Sequence, residues 1–207
     1  MQLRQSWWIA GVLACAGAPA SAQAIAPPPW PATHGDPPAL AADPVHPLKL
    51  GPLRVTLYAS TLADVQRAVG AGALTRHGKG TEALDWLCYT LVDAEPAQRI
   101  WFTSSELAGG NKIDGVTAIE LAAGERAQAS CPELPAKFRP VRFDDGLWLG
   151  ALSPEQRRAM AIPAQGNATW GGLYRGTIGA LDVLGTISVE VRRSRAIVIH
   201  AAHTAQS

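Results

Sequence analysis

From Leu53 onward, apolar and polar residues alternate in short runs with the period of β-strands, broken twice by phrases with helical spacing. The strand-like runs are Trp86-Leu87-Cys88-Tyr89, Arg99 to Thr103, Ile113 to Leu121, Trp170 to Tyr174, Val183 to Val191 and Ala196 to His200. Turn residues separate them, among them Gly109-Gly110-Asn111 and the Arg192-Arg193-Ser194-Arg195 tip, which predicts antiparallel meanders. One helix is expected to start at Thr61 or Ala63-Asp64 and to stop at Gly70-Ala71-Gly72. A second should open at Ser153, with Pro154 in the first turn and Gln156 at the capping-box position.

These elements fall into a weak internal repeat. Leu57-Tyr58-Ala59-Ser60-Thr61-Leu62 precedes Gln66-Arg67, and Leu147-Trp148-Leu149-Gly150-Ala151-Leu152 precedes Gln156-Arg157. Each half then reads as a strand, a short helix and three antiparallel strands. The expected fold class is α+β, with two tandem modules, each a short helix packed on an antiparallel β-meander. The first module spans residues 53–123 and the second residues 141–207, with residues 124–140 as a linker containing Cys131.

The N-terminal part has a different pattern. Residues 1–22 carry Arg4, an apolar run from Trp7 to Ala18 and Ala20-Ser21-Ala22, the three parts of a cleavable signal peptide. That run is too short for a membrane-spanning helix, which needs about 20 apolar residues. Val12-Leu13-Ala14-Cys15 is a poor lipobox, so membrane anchoring is expected only if Cys15 is acylated; cleavage after Ala22 is preferred. Residues 23–52, with nine prolines from Pro27 to Pro52, read as an extended tail without a packed element.

Removing 22 of the 207 residues leaves 185, and Arg4 departs with them, leaving 17 basic against 17 acidic residues. A neutral chain without a basic block has no electrostatic footprint for nucleic acid or an anionic membrane. The two remaining cysteines, Cys88 and Cys131, predict one disulfide and an oxidising compartment, periplasmic or secreted.

The small-x-Leu-x-x-x-Gln phrase before the helix, with the later Trp-to-Tyr strand, resembles the outer-membrane-assembly lipoproteins of the SmpA/OmlA type. Two such modules in tandem are similar to the β-lactamase-inhibitor proteins. That resemblance implies an exported protein that presents a concave sheet to another protein. The second copy departs from the pattern at Ala161-Ile162-Pro163, where the first has Gly70.

Motifs for chemistry are weak. Ser104-Ser105-Glu106 lacks a nucleophile-elbow context. His200 and His203, three apart on a strand, point to opposite faces and cannot share a metal. Gly78-Lys79-Gly80-Thr81 lacks the Walker spacing, and Asp144-Asp145-Gly146 is a turn signal. No catalytic, metal-binding or cofactor residue is assigned.

The aromatic residues are more informative. Alternation puts Leu87, Tyr89, Ile100 and Phe102 on the helix-covered face, and Trp86, Arg99 and Trp101 on the other. Trp and Arg are enriched in binding hot spots, so these three are the expected partner-binding residues, unless the other half or the Pro-rich tail packs over them. The expectation is a non-enzymatic exported protein-binding module, an inhibitor of or immunity protein against an envelope-targeted enzyme. An envelope-assembly scaffold lipoprotein is the alternative; a small hydrolase using Ser104 with His200 or His203 is a distant third. On this reading Trp101→Ala abolishes binding at little cost in stability.

Overall fold

The structure is a computed structural model that describes residues 24–29, 47–108, 111–162, 166–178 and 180–206. Residues 1–22, expected to be a signal peptide and including Cys15, and the expected Gly109-Gly110 turn lie outside these residues.

Antiparallel strands dominate. After β1 (Leu48–Leu50) and β2 (Leu53–Val55) comes helix α1 (Leu62–Val69), then β3 (Thr75–His77), β4 (Leu84–Leu91), β5 (Gln98–Ser105) and β6 (Gly115–Glu120). The second half holds β7 (Val141–Phe143), β8 (Gly150–Ala151), helix α2 (Pro154–Ala159), β9 (Asn167–Ile178), β10 (Leu181–Arg192) and β11 (Arg195–Gln206). The large sheet runs in the order β3-β4-β5-β6-β11-β10-β9, with β8 also paired to β11, and a small sheet runs β2-β1-β7.

The α+β expectation is therefore corrected to a β-rich fold. The two halves do not each lay a helix on a separate meander, because β6 pairs with β11 from Ile119↔Val198 to Gly115↔Ala202 and makes one sheet of both. The helices explain the difference. Helix α1 has the Thr61–Asp64 capping box, a left-handed Gly70 at its end, and Leu62, Val65 and Val69 spaced to bury one stripe. Helix α2 has its expected Ser153–Gln156 capping box, but its sequence Pro-Glu-Gln-Arg-Arg-Ala buries no residue. Without an apolar stripe it cannot cover a sheet.

The small sheet shares that task. In β1 and β7, Leu48, Leu50, Val141 and Phe143 are buried, whereas Arg142 between them is exposed. They join Leu62, Val65, Leu87, Ile100 and Phe102 of the first half and Val189, Val191 and Ile199 of the second in one core. The reading of residues 23–52 as an unpacked tail fails at both ends: β1 lies inside it, and so does Ile25, which packs against buried side chains.

The long hairpin between β10 and β11 turns at Arg193 and Ser194, both with positive φ (49° and 63°), as a tight two-residue connection with the native strand twist requires. Gly185 in β10 is needed for space: a Cβ there would lie 1.9 Å from the Tyr174 ring.

Candidate functional site

The face of the large sheet opposite α1 is built from alternate residues of β4 and β5. Register pairs Trp86 with Thr103, Cys88 with Trp101 and Thr90 with Arg99. Cys88 forms the expected disulfide with Cys131, and Trp86, Trp101 and the two cysteines make a second buried cluster.

The loop carrying Cys131 is tied down on this face by its backbone. The Thr90 amide donates to the Pro132 carbonyl and the Leu134 amide to the Thr90 carbonyl, both at 2.8 Å. The Thr90 hydroxyl donates to the Cys131 carbonyl at 3.0 Å. Arg99 reaches the same loop: its guanidinium lies 5.9 Å from the Trp101 ring centroid, Nη2 donates to the Arg126 carbonyl, and Nη1 lies 3.9 Å from Glu125 Oε1.

Residues 24–29 cross this face. Both indoles, Trp86 Nε1 and Trp101 Nε1, donate to one acceptor, the Ile25 carbonyl, each at 3.1 Å. Ile25, Leu84 and Ile119 pack around the aromatic cluster. Farther along, Pro28 and Pro29 cover a cleft of about 250 Å³ with Ile119, Thr169, Ser188, Glu190, Val198 and His200. The segment thus runs across the strands, from the tryptophans on β4 and β5 to β9.

The structure brings Trp86, Arg99 and Trp101 together but does not leave them free. Their relative exposures are 4%, 4% and 1%. The expected open aromatic face is covered by the chain's own proline segment, because two N–H groups and an apolar surface on the sheet fit one carbonyl and the side chains beside it. Sequence reasoning missed Ile25, Pro28 and Pro29 as site residues. The signal was there in Ile25, an isolated β-branched residue one alanine before a proline triplet.

The two histidines do face opposite sides. His200 sits in the cleft with its Nδ1 3.0 Å from Thr117 Oγ1. Burial pushes its pKa down to about 4, partly opposed by Glu190. On the core side, His203 Nε2 hydrogen-bonds the Tyr174 hydroxyl, and Tyr58 stacks on its ring. The Ser104 hydroxyl is buried with no hydrogen-bond partner among the described residues, so it makes no nucleophile–base pair with either histidine. Asp114, held by the Ser105 amide and hydroxyl, has its pKa raised by burial.

Among the described residues no three His, Cys, Asp or Glu side chains form a metal cluster, and no helix is long and apolar enough to cross a membrane. The disulfide is compatible with an extracytoplasmic location. Comparison of the chain with protein-family models, curated proteins and solved structures finds no match.

Proposed function

We propose that this chain is an exported, non-enzymatic binding protein whose disulfide face is a seat for an extended, proline-containing segment of another protein. Residues 24–29 are the resident occupant. The observation that carries the reading is the convergence of the Trp86 and Trp101 indole N–H groups on the single carbonyl of Ile25. Two aromatic donors aimed at main chain, followed by proline packing, recognise backbone shape and suit a pre-extended polyproline segment, which loses little entropy on docking. Arg99 adds a reason to expect other occupants: its buried Nε has no acceptor among the described residues. The resident segment leaves that donor unused.

Signal cleavage after Ala22 fits the same reading, since it places the mature end at Gln23, two residues before Ile25. An external ligand then competes with a tethered one, whose effective concentration is on the order of millimolar for a short linker. Inhibition of an envelope enzyme, or immunity to one, would use a loop of that enzyme as the competing segment.

The test is a variant lacking residues 24–29, titrated with the peptide Ala-Ile-Ala-Pro-Pro-Pro while tryptophan emission is recorded. Saturable binding to the truncated chain, with none to the full-length chain at the same peptide concentration, is expected. A truncated chain that keeps its disulfide and β-sheet circular dichroism yet never binds the peptide refutes the proposal.

A further inference from the structure

We infer that the outer edge of β9 is a self-pairing interface, at which a second copy of this chain adds its own β9 antiparallel and joins two large sheets into one. This inference is independent of the peptide seat.

Among the described residues, β9 ends the strand order of the large sheet and pairs with β10 along one side only. It is 12 residues long, about twice the usual strand length. Natural edge strands are kept short, bulged, or guarded by lysine or proline. The opposite edge follows that rule: β3 has three residues, and its Arg76 is ion-paired with Asp85 and Glu106. β9 does not. It contains no proline or lysine, its register with β10 is continuous from Leu181↔Ile178 to Arg192↔Asn167, and Arg175 is its only charge.

Geometry and charge select a second copy. In an antiparallel two-fold pairing, opposed residues share a face, so the axis must pass through a residue rather than between two. With the axis at Gly172, Trp170 lies opposite the partner's Tyr174 on both sides of the axis, giving two cross-strand aromatic pairs. Shifting the axis to Gly171 or Leu173 sets both aromatics against glycine or alanine. In the Gly172 register Arg175 faces the partner's Thr169, and the two Arg175 positions stand about 20 Å apart, so like charges never oppose. Tyr174 already covers Gly185 of β10, and the partner's Trp170 extends that row.

The test is the molar mass of the full chain by light scattering over a dilution series, with Gly171→Lys and Gly171→Glu variants. Next to the axis, each substitution brings like charges within about 8 Å across the two-fold. The wild type is expected to be dimeric at about 100 µM, a concentration at which even a weak micromolar interface is filled. Each variant alone should be monomeric, and an equimolar mixture of the two should recover the dimer. A wild type monomeric at that concentration, variants that remain dimeric, or a mixture that stays monomeric each overturns the proposal. Amide exchange on the wild type needs no variant to fold: β9 should be protected at high concentration and lose that protection on dilution. Equal exchange at both concentrations overturns it too.

Discussion

At the scale of residues, burial reverses what the sequence pattern implies for Trp101. Alternation places the side chain on the correct face of β5, yet alternation says nothing about what lies above that face. With Trp101 at 1% exposure and packed on the disulfide and Ile25, Trp101→Ala should leave a cavity and cost about 3–5 kcal/mol. Trp101→Phe keeps an aromatic ring but removes the pyrrole part with its donor to the Ile25 carbonyl, which should cost less, about 1–2 kcal/mol. Chemical denaturation of the two variants checks both values; equal, small losses would mean the indole is not part of the core. His200 gives a pH prediction. Its pKa falls from an ordinary 6.5 to about 4, so the unfolded chain binds the extra proton first as pH drops. Stability is therefore fully present above pH 6.5 and is lost as pH falls towards 4, by about 3 kcal/mol at most. His200→Gln should flatten that part of the stability–pH curve, measured by urea unfolding between pH 7 and pH 4.

Among the elements, local signals were legible where chemistry within a few residues decides the outcome. Thr61, Ser153, Pro154 and Gln156 mark both helix starts, and the Arg193-Ser194 tip marks the turn of the β10–β11 hairpin. What each helix does was not legible from its caps. Helix α1 buries Leu62, Val65 and Val69, whereas α2 buries none, a difference written in their apolar positions rather than in their shared opening phrase. Thr61→Ala should then cost about 1 kcal/mol, since α1 is held by the core, and Ser153→Ala only a few tenths, since fraying α2 exposes nothing apolar. Thermal melts of the two variants test this, and equal losses would show α2 to be coupled to the core. The segments Leu48–Leu50 and Val141–Phe143 were hidden for another reason. Three residues are too few to show a period; with Pro47 and Pro52 beside it Leu48–Leu50 reads as tail, and Val141–Phe143, at the start of the second module beside Pro140, shows no strand signal. The disulfide was readable from the two cysteines that remain once Cys15 is assigned to the expected signal peptide. Joining positions 43 residues apart, it should stabilise by about 4 kcal/mol.

For the whole molecule, the decisive fact is the seam between β6 and β11, because pairing partners so distant in sequence leave no trace in local pattern. The repeat is visible in the residues, but repeated phrases do not require separate cores. Here Ile100 and Phe102 share one core with Val189 and Ile199, and Ala118, opposite Ile199 at the seam, is fully buried. Opening one half would expose the edge of β6 or of β11 and strip apolar cover from the other half, so neither opens alone at low cost. Native-state amide exchange should give β4–β5 and β10–β11 the same opening free energy and the same denaturant dependence. Ala118→Glu, which puts a charge into the seam, should lower both by the same amount, by at least a few kcal/mol given the cost of an unpaired buried carboxylate. Two sets of amides with different opening energies, or a seam substitution that loosens β10–β11 while leaving β4–β5 unchanged, would show that the halves are held by separate cores and that the continuous sheet is only a surface contact between them.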